Sequence, residues 1–157
     1  MTRPSAGVDI RSPRPGDAAA VASNLRDADL EELIAAGLDD IEGVIQEGID
    51  YSARCWTATV HGRPVCVFGV REWDGRGVPW LLGTSEMAAH RRAFIEQAPA
   101  YIGLMLEAFP VLINHVHAAN EQAVRWLKRA GFALAEPHQH PNTGEPFHLF
   151  TMERSHV

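Results

Sequence analysis

Two histidines, His115 and His117, sit one residue apart in an apolar run. In a strand they would present both imidazoles on one face, which is the geometry of two metal ligands. His138, His140 and His148 would be the sources of a third. No Cys, Asp or Glu stands at a recognised ligand spacing beside them, so no metal site is expected, and solvated histidines in an acidic protein are the ordinary reading. Gly83-Thr84-Ser85-Glu86 breaks an apolar strand-like run and can start a helix, with Arg91 and Arg92 beyond it. A glycine-containing turn ahead of a helix exposes backbone N–H groups at the positive end of the helix dipole, and so forms an anion site. Here Gly83 is the single glycine in the turn, and Glu86 adds a negative charge to it. Arg91 and Arg92 are either a side-chain replacement for such a grip or solvated surface charges.

The element expected to be best defined is the helix after Asn120. Asn120 caps its first turn by accepting a backbone N–H. Glu121 sits at the positive end of the dipole, with Lys128 and Arg129 at the negative end. Ala123, Trp126, Leu127 and Ala130 form one apolar face, and Gly131 supplies a left-handed stop. Upstream, residues 8–13 read as a strand. Gly16-Asp17 reads as a turn with Asp17 as N-cap, opening a helix on Ala18, Val21, Ala22 and Leu25. A second short helix puts Leu30, Leu33 and Ile34 on one face and ends at Gly37. A third opens at Asp39 or Asp40 and buries Ile41, Val44, Ile45 and Gly48. Residues 55–60, 64–72 and 78–82 read as a three-strand meander, with turns at His61-Gly62 and around Asp74-Gly75. Residues 87–109 read as the longest helix, with Phe94, Ala98, Tyr101, Ile102, Met105 and Phe109 as its buried stripe. Pro99 predicts a kink or a division into two helices. Residues 111–117 are a strand, and 132–134 pair with 146–152 across an exposed loop, 136–145. The order specifies one α/β domain over residues 8–154, with a mixed central sheet of about six to seven strands and helices on both faces. Residues 1–7 read as a flexible N-terminus.

The composition narrows the partners. With 157 residues, 46% of them apolar, the chain fits a single globular core. A formal charge of −6 argues against a broad electrostatic grip on nucleic acid or an anionic membrane. The cysteines, Cys55 and Cys66, lie in strand-like runs and read as buried thiols. No signal-peptide pattern or bilayer-length apolar segment is present, so a cytoplasmic protein is expected.

The order of elements resembles the GNAT N-acetyltransferase superfamily over nearly the whole chain. Ile10-Arg11-Ser12-Pro13-Arg14-Pro15-Gly16-Asp17 is similar to that family's opening, and Asn120, Ala123, Gly131 and Phe132 to its late motif. The resemblance implies acetyl-CoA as cofactor, with Leu81, Leu82, Gly83, Thr84, Ser85, Arg91, Arg92 and Asn120 at the cofactor position. It also implies a general base for an amine, for which Glu72, Asp74 and His117 are the candidates by position. Two departures count against catalysis. The family's Gln/Arg-x-x-Gly-x-Gly/Ala pyrophosphate signature is missing, and Leu127 stands where many members carry a tyrosine that protonates the departing thiolate. A general acid contributes about 10²–10⁴-fold.

A closer resemblance joins Val78-Pro79-Trp80-Leu81-Leu82-Gly83-Thr84, His90-Arg91-Arg92-Ala93-Phe94, Arg125-Trp126-Leu127 and Gly131-Phe132. Together they are similar to small tailed-phage proteins grouped with the internal core protein of short-tailed phages. This resemblance implies a virion, assembly or host-interaction role, with phage structural proteins, host proteins or a second copy as partners and no cofactor required. That reading ranks above an active acetyl-CoA-dependent enzyme with an altered pyrophosphate loop. A non-catalytic ligand- or protein-binding module is the third reading.

Overall fold

Two tight hairpins build the first half of the sheet. His61 and Gly62 take φ of 50° and 77°, and Asp74 and Gly75 take 51° and 78°. Positive φ at both central residues is what a two-residue hairpin loop between right-twisted strands demands. The loops join β2 (Ser52–Val60), β3 (Arg63–Trp73) and β4 (Arg76–Gly83) into an antiparallel meander, with β1 (Val8–Arg11) on its outer edge. The second half is β5 (Val111–His117), β6 (Ala133–Leu134), β7 (His138–Gln139) and β8 (Pro146–Glu153). The strand order is β1-β2-β3-β4-β5-β8-β6, with β7 also pairing β8. These assignments come from a computed structural model that describes residues 7–154. The flexible N-terminus expected over residues 1–7 lies outside the described residues except for Gly7.

Helices cover both faces, as expected. α1 (Asp17–Ser23), α2 (Asp27–Ala35) and α3 (Ile41–Tyr51) close one core around Val21, Leu33, Ile45, Val67 and Leu82. α4 (Arg91–Ala108) and α5 (Glu121–Ala130) close the other around Phe68, Val70, Met105, Leu112, Leu127 and Phe150. Asp40 caps α3 through the Gly43 N–H at 3.1 Å, and Asn120 caps α5 through the Ala123 N–H at 3.3 Å. Gly131 takes φ 104° and stops α5. No helix among the described residues is long and apolar enough to cross a membrane.

Several expectations need correction. The first strand ends at Arg11, two residues before Pro13. Ile34 is 60% exposed, so α2 turns Asp29 and Leu33 inward instead of an all-apolar face. Pro99 neither divides α4 nor ends it, and lies on the exposed side of one continuous helix. The change of geometry comes earlier, where a 3-10 turn over Ser85–His90 runs into α4 at Arg91. The 136–145 connection contains β7, so the described chain has eight strands. The two cysteines are free, and burial pushes both thiols up to about 12, which leaves them in the unreactive protonated form.

Asp17 is not the cap of α1. Gly16 holds that position with φ 92°, and Asp17 is the first helical residue, 2% exposed. Its carboxylate accepts from Arg11 at 2.8 and 3.0 Å, from the Arg14 N–H at 2.8 Å and from the Thr57 hydroxyl at 2.7 Å. Burial alone would raise its pKa. The Arg11 guanidinium, the Arg14 N–H and Thr57 outweigh burial and hold it below the ordinary 3.8. This knot ties β1, the first turn of α1 and β2 together. A depressed carboxylate contributes stability that is fully present above its unfolded pKa and is lost as pH falls through its folded value. Asp17→Ala leaves Arg11 and Thr57 without their acceptor and is expected to cost about 3–5 kcal/mol at pH 7. The difference from the unmodified chain should shrink below pH 3.8, which urea denaturation across that range measures.

Candidate functional site

The sheet opens between its two central strands. β4 and β5 are parallel and share one registered pair, Gly77 with Leu112. Gly77 permits that approach, because a Cβ there would come within 2.8–2.9 Å of Phe109, Val70 and Leu112 side-chain carbons. Two residues on, Pro79 has no N–H to offer, and its carbonyl accepts from the Asn114 side chain at 2.7 Å. Beyond this point the strands part. A groove of about 1220 Å³ occupies the opening and reaches both faces of the sheet. On one face it is walled by Arg26, Asp29, Glu32 and Leu33 of the α2 region, and on the other by Arg91, Phe94, Tyr101 and Trp126 of α4 and α5.

Parted strands leave backbone donors that must find acceptors. The α2 helix supplies them. Asp29 accepts the Gly83 N–H of β4 at 2.8 Å, and Glu32, one turn on, accepts the His117 N–H of β5 at 2.9 Å. Asp29 is 3% exposed and lies 2.8 Å from Arg26 Nε, a contact that is an ion pair without the alignment of a hydrogen bond. Burial raises the Asp29 pKa, opposed by Arg26 and the Gly83 N–H. Burial likewise raises that of Glu32; the His117 N–H and the Asn120 side chain oppose the rise, and the Asp29 charge adds to it. The floor of the groove is thus a pair of carboxylates held against their preferred ionisation.

The turn after β4 directs several of its N–H groups inward: Gly83 donates to Asp29, Thr84 to the Val65 carbonyl at 2.8 Å, Ser85 to the Asn24 carbonyl at 3.4 Å and Met87 to the Thr84 carbonyl at 3.1 Å. The Asn24–Arg26 connector lies along the turn as a bridge partner, with Arg26 N–H on the Gly83 carbonyl at 3.0 Å. Glu86 points away and pairs with Arg63.

The groove brings together Leu81, Leu82, Thr84, Ser85, Arg91 and Asn120 of the expected cofactor residues. Gly83 and Arg92 are not among its lining. Gly83 is turned toward Met87 and Cys66, and Arg92 pairs along the helix with Glu96 at 3.1 Å. Arg91 makes no ion pair or hydrogen bond among the described residues. Glu72 and Asp74 sit on the exposed β3–β4 hairpin outside the groove; the Glu72 carboxylate accepts the Gly75 N–H at 3.1 Å. His117 is 6% exposed, with its ring against Phe147 and Nε2 3.6 Å from Glu145. His115 packs edge-on to His138, at 5.1 Å between centroids; burial, His138 and His140 lower its pKa. No group of three or more metal-ligating side chains is present among the described residues.

Leu127 is buried, 8% exposed, and offers no proton. Tyr101 faces the groove from α4 within an aromatic cluster, 5.0 Å from Trp56 and 5.3 Å from Phe68. Sequence reading overlooked Arg26, Asp29, Glu32 and Tyr101 as site residues. One signal for the carboxylates was available: Asp29, Glu32 and Leu33 lie at i, i+3 and i+4, which puts two acids beside a core leucine.

The chain matches no protein-family model and no curated protein. Solved structures do share its architecture. The ribosomal-protein-S18-alanine N-acetyltransferase of Escherichia coli is 12% identical, with 96% of each chain covered and a TM-score of 0.63. An acetyltransferase of the GNAT family from Bacillus anthracis is 14% identical over 94% of this chain and 95% of its own, with a TM-score of 0.68. A Bacillus subtilis acetyltransferase in complex with CoA is 7% identical over 94% and 98%, with a TM-score of 0.66. At these identities the likeness is one of fold, and the fold is GNAT.

The two floor carboxylates make a separable prediction. Glu32→Ala leaves the buried His117 N–H without an acceptor and should cost about 1–3 kcal/mol. Glu32→Gln keeps an acceptor oxygen and removes a charge that the fold disfavours. A raised carboxyl pKa means stability falls as pH rises from the unfolded value of 4.5 through the folded one. Glu32→Gln should therefore match or exceed the unmodified chain at pH 7 and flatten that slope. Guanidinium denaturation of both variants at pH 4.5 and pH 7 reads the two effects.

Proposed function

We propose that this chain is a GNAT-fold binding protein that does not transfer acetyl groups, and that it serves a phage or prophage in the virion, its assembly or contact with the host. The observation that carries the loss of catalysis is the spent turn. The N–H groups of Gly83, Thr84, Ser85 and Met87 all serve internal acceptors. A backbone grip on a diphosphate would require breaking the Asp29, Val65 and Asn24 contacts that fasten β4, β3 and the α1–α2 connector to one another. The buried Leu127 removes the family's proton donor as well. The groove itself is retained, with apolar walls and a polar floor, which is the form of a ligand site. The phage setting rests on the sequence resemblance of the 78–84, 90–94 and 125–132 segments.

An active acetyl-CoA-dependent N-acetyltransferase is the second reading. Its supports are the N-acetyltransferases that share the fold and the unpaired Arg91 at the start of α4 on the groove wall. There Arg91 would stand in for the amide cradle, and Glu32 would be the groove carboxylate placed to accept a proton.

Thermal shift and calorimetry with millimolar acetyl-CoA separate the two. A ligand that binds only the folded state at a hundred times its Kd stabilises by about 2.7 kcal/mol. The binding-protein reading expects no such shift and no acetylation of amine acceptors. A shift of that size that disappears in Arg91→Ala, together with acetyl transfer abolished by Glu32→Gln, would overturn it in favour of the enzyme.

A further inference from the structure

A row of four side chains at one end of the α3 face alternates ring and cation. Tyr51, the last residue of α3, is 69% exposed, and Trp73, the last of β3, is 57% exposed. The Arg71 guanidinium lies 5.8 Å from the Tyr51 ring centroid, and that of Arg76 lies 5.6 Å from the Trp73 ring. Arg71 and Trp73 are two residues apart in β3 and so share a face. Trp73 and Arg76 are registered across the hairpin. The sequence in space is therefore Tyr51, Arg71, Trp73, Arg76. Neither arginine is in an ion pair among the described residues. Tyrosine, tryptophan and arginine are the residue types in which interface binding energy concentrates.

The opposite charge lies alongside. Residues 27–53 hold nine carboxylates and no Lys, Arg or His, so the remainder of a chain with formal charge −6 carries +3. Glu42, Glu47 and Asp50 of α3 are exposed and in no ion pair among the described residues. Glu47 is one helical turn before Tyr51 and shares its side of the helix. An aromatic–cation row and an unpaired acidic helix thus adjoin on one surface.

We propose that this surface associates two copies of the chain about a two-fold axis, the Tyr51–Arg71–Trp73–Arg76 row of each resting on the Glu47 and Asp50 side of the other. A two-fold contact uses the same patch on both copies, so the patch must contain its own complement. Here both halves are present side by side and neither is in an ion pair among the described residues. Rotation by a half turn lays cations on carboxylates twice and removes two large rings from water. A stable contact of this kind buries about 800 Å² per copy, which the exposed side of α3 and the β3–β4 hairpin would share. Arg71 also borders the groove, but Tyr51, Trp73 and Arg76 lie outside its lining, and self-association is read independently of what the groove binds.

Sedimentation equilibrium of the full chain, from micromolar to submillimolar concentration, tests it. The expected result is a monomer–dimer equilibrium that weakens with added salt. Arg71→Glu with Arg76→Glu should weaken the dimer by about tenfold or more, and so should Glu47→Arg with Asp50→Arg. Mixing the two double variants should restore a dimer, because in the mixed pair both contacts are again between opposite charges. Circular dichroism confirms that each variant is folded. A monomer at every concentration, or two defective variants that do not rescue each other, would sink the proposal. Binding of the row to an unrelated acidic protein without self-association would sink it too.

Discussion

The parting of β4 from β5 is the constraint around which the rest of the molecule is arranged. Two parallel strands that pair at Gly77 and Leu112 and then separate leave buried backbone donors with nothing opposite them. Unpaired, each would cost about 1–3 kcal/mol. The chain answers with one short helix. Asp29 and Glu32 of α2 reach the two strands from a single helical turn and supply acceptors to both. The opening can therefore persist as a groove instead of collapsing into a continuous sheet.

That solution has a consequence for chemistry. Charges buried to satisfy backbone groups are costly to keep ionised, and both carboxyls are shifted upward by burial. Arg26 and Asn120 moderate the cost. The same connector that brings Arg26 into position also lies against the turn after β4, where the Asn24 carbonyl accepts the Ser85 N–H. Support of the groove floor and the inward N–H bonds of this turn are therefore one structural arrangement.

The other half of the molecule is anchored differently. The Asp17 knot joins β1, α1 and β2 through four donor contacts to one buried carboxylate. α3 then packs so closely that Gly48 has the Trp80 ring where a Cβ would be, 2.7 Å away. Trp80 in turn donates to Ser52 at 2.8 Å, which fixes the β4 wall of the groove against the start of β2. Rigid support on this side leaves the acidic outer surface of α3 free of structural duty.

The local signals in the sequence carried most of the fold. The α3 cap at Asp39 or Asp40, the cap at Asn120, the stop at Gly131 and the turns at His61-Gly62 and Asp74-Gly75 are each written in a few adjacent residues, and the stripe from Phe94 to Phe109 repeats with the helical period, because capping, left-handed turns and periodicity are local properties of the chain. Leu127 and the lone Gly83 were legible for the same reason. The groove floor was not. Glu32 meets His117 across 85 positions and Asp29 meets Gly83 across 54. No local pattern distinguishes those carboxylates from the solvated ones around them on α2. Nor could the sequence tell that Arg91 faces the groove while Arg92 faces Glu96, since that depends on where the 3-10 turn hands over to α4. Spacing determined which elements exist. Tertiary packing alone decided which polar groups are buried, because burial depends on where distant strands part.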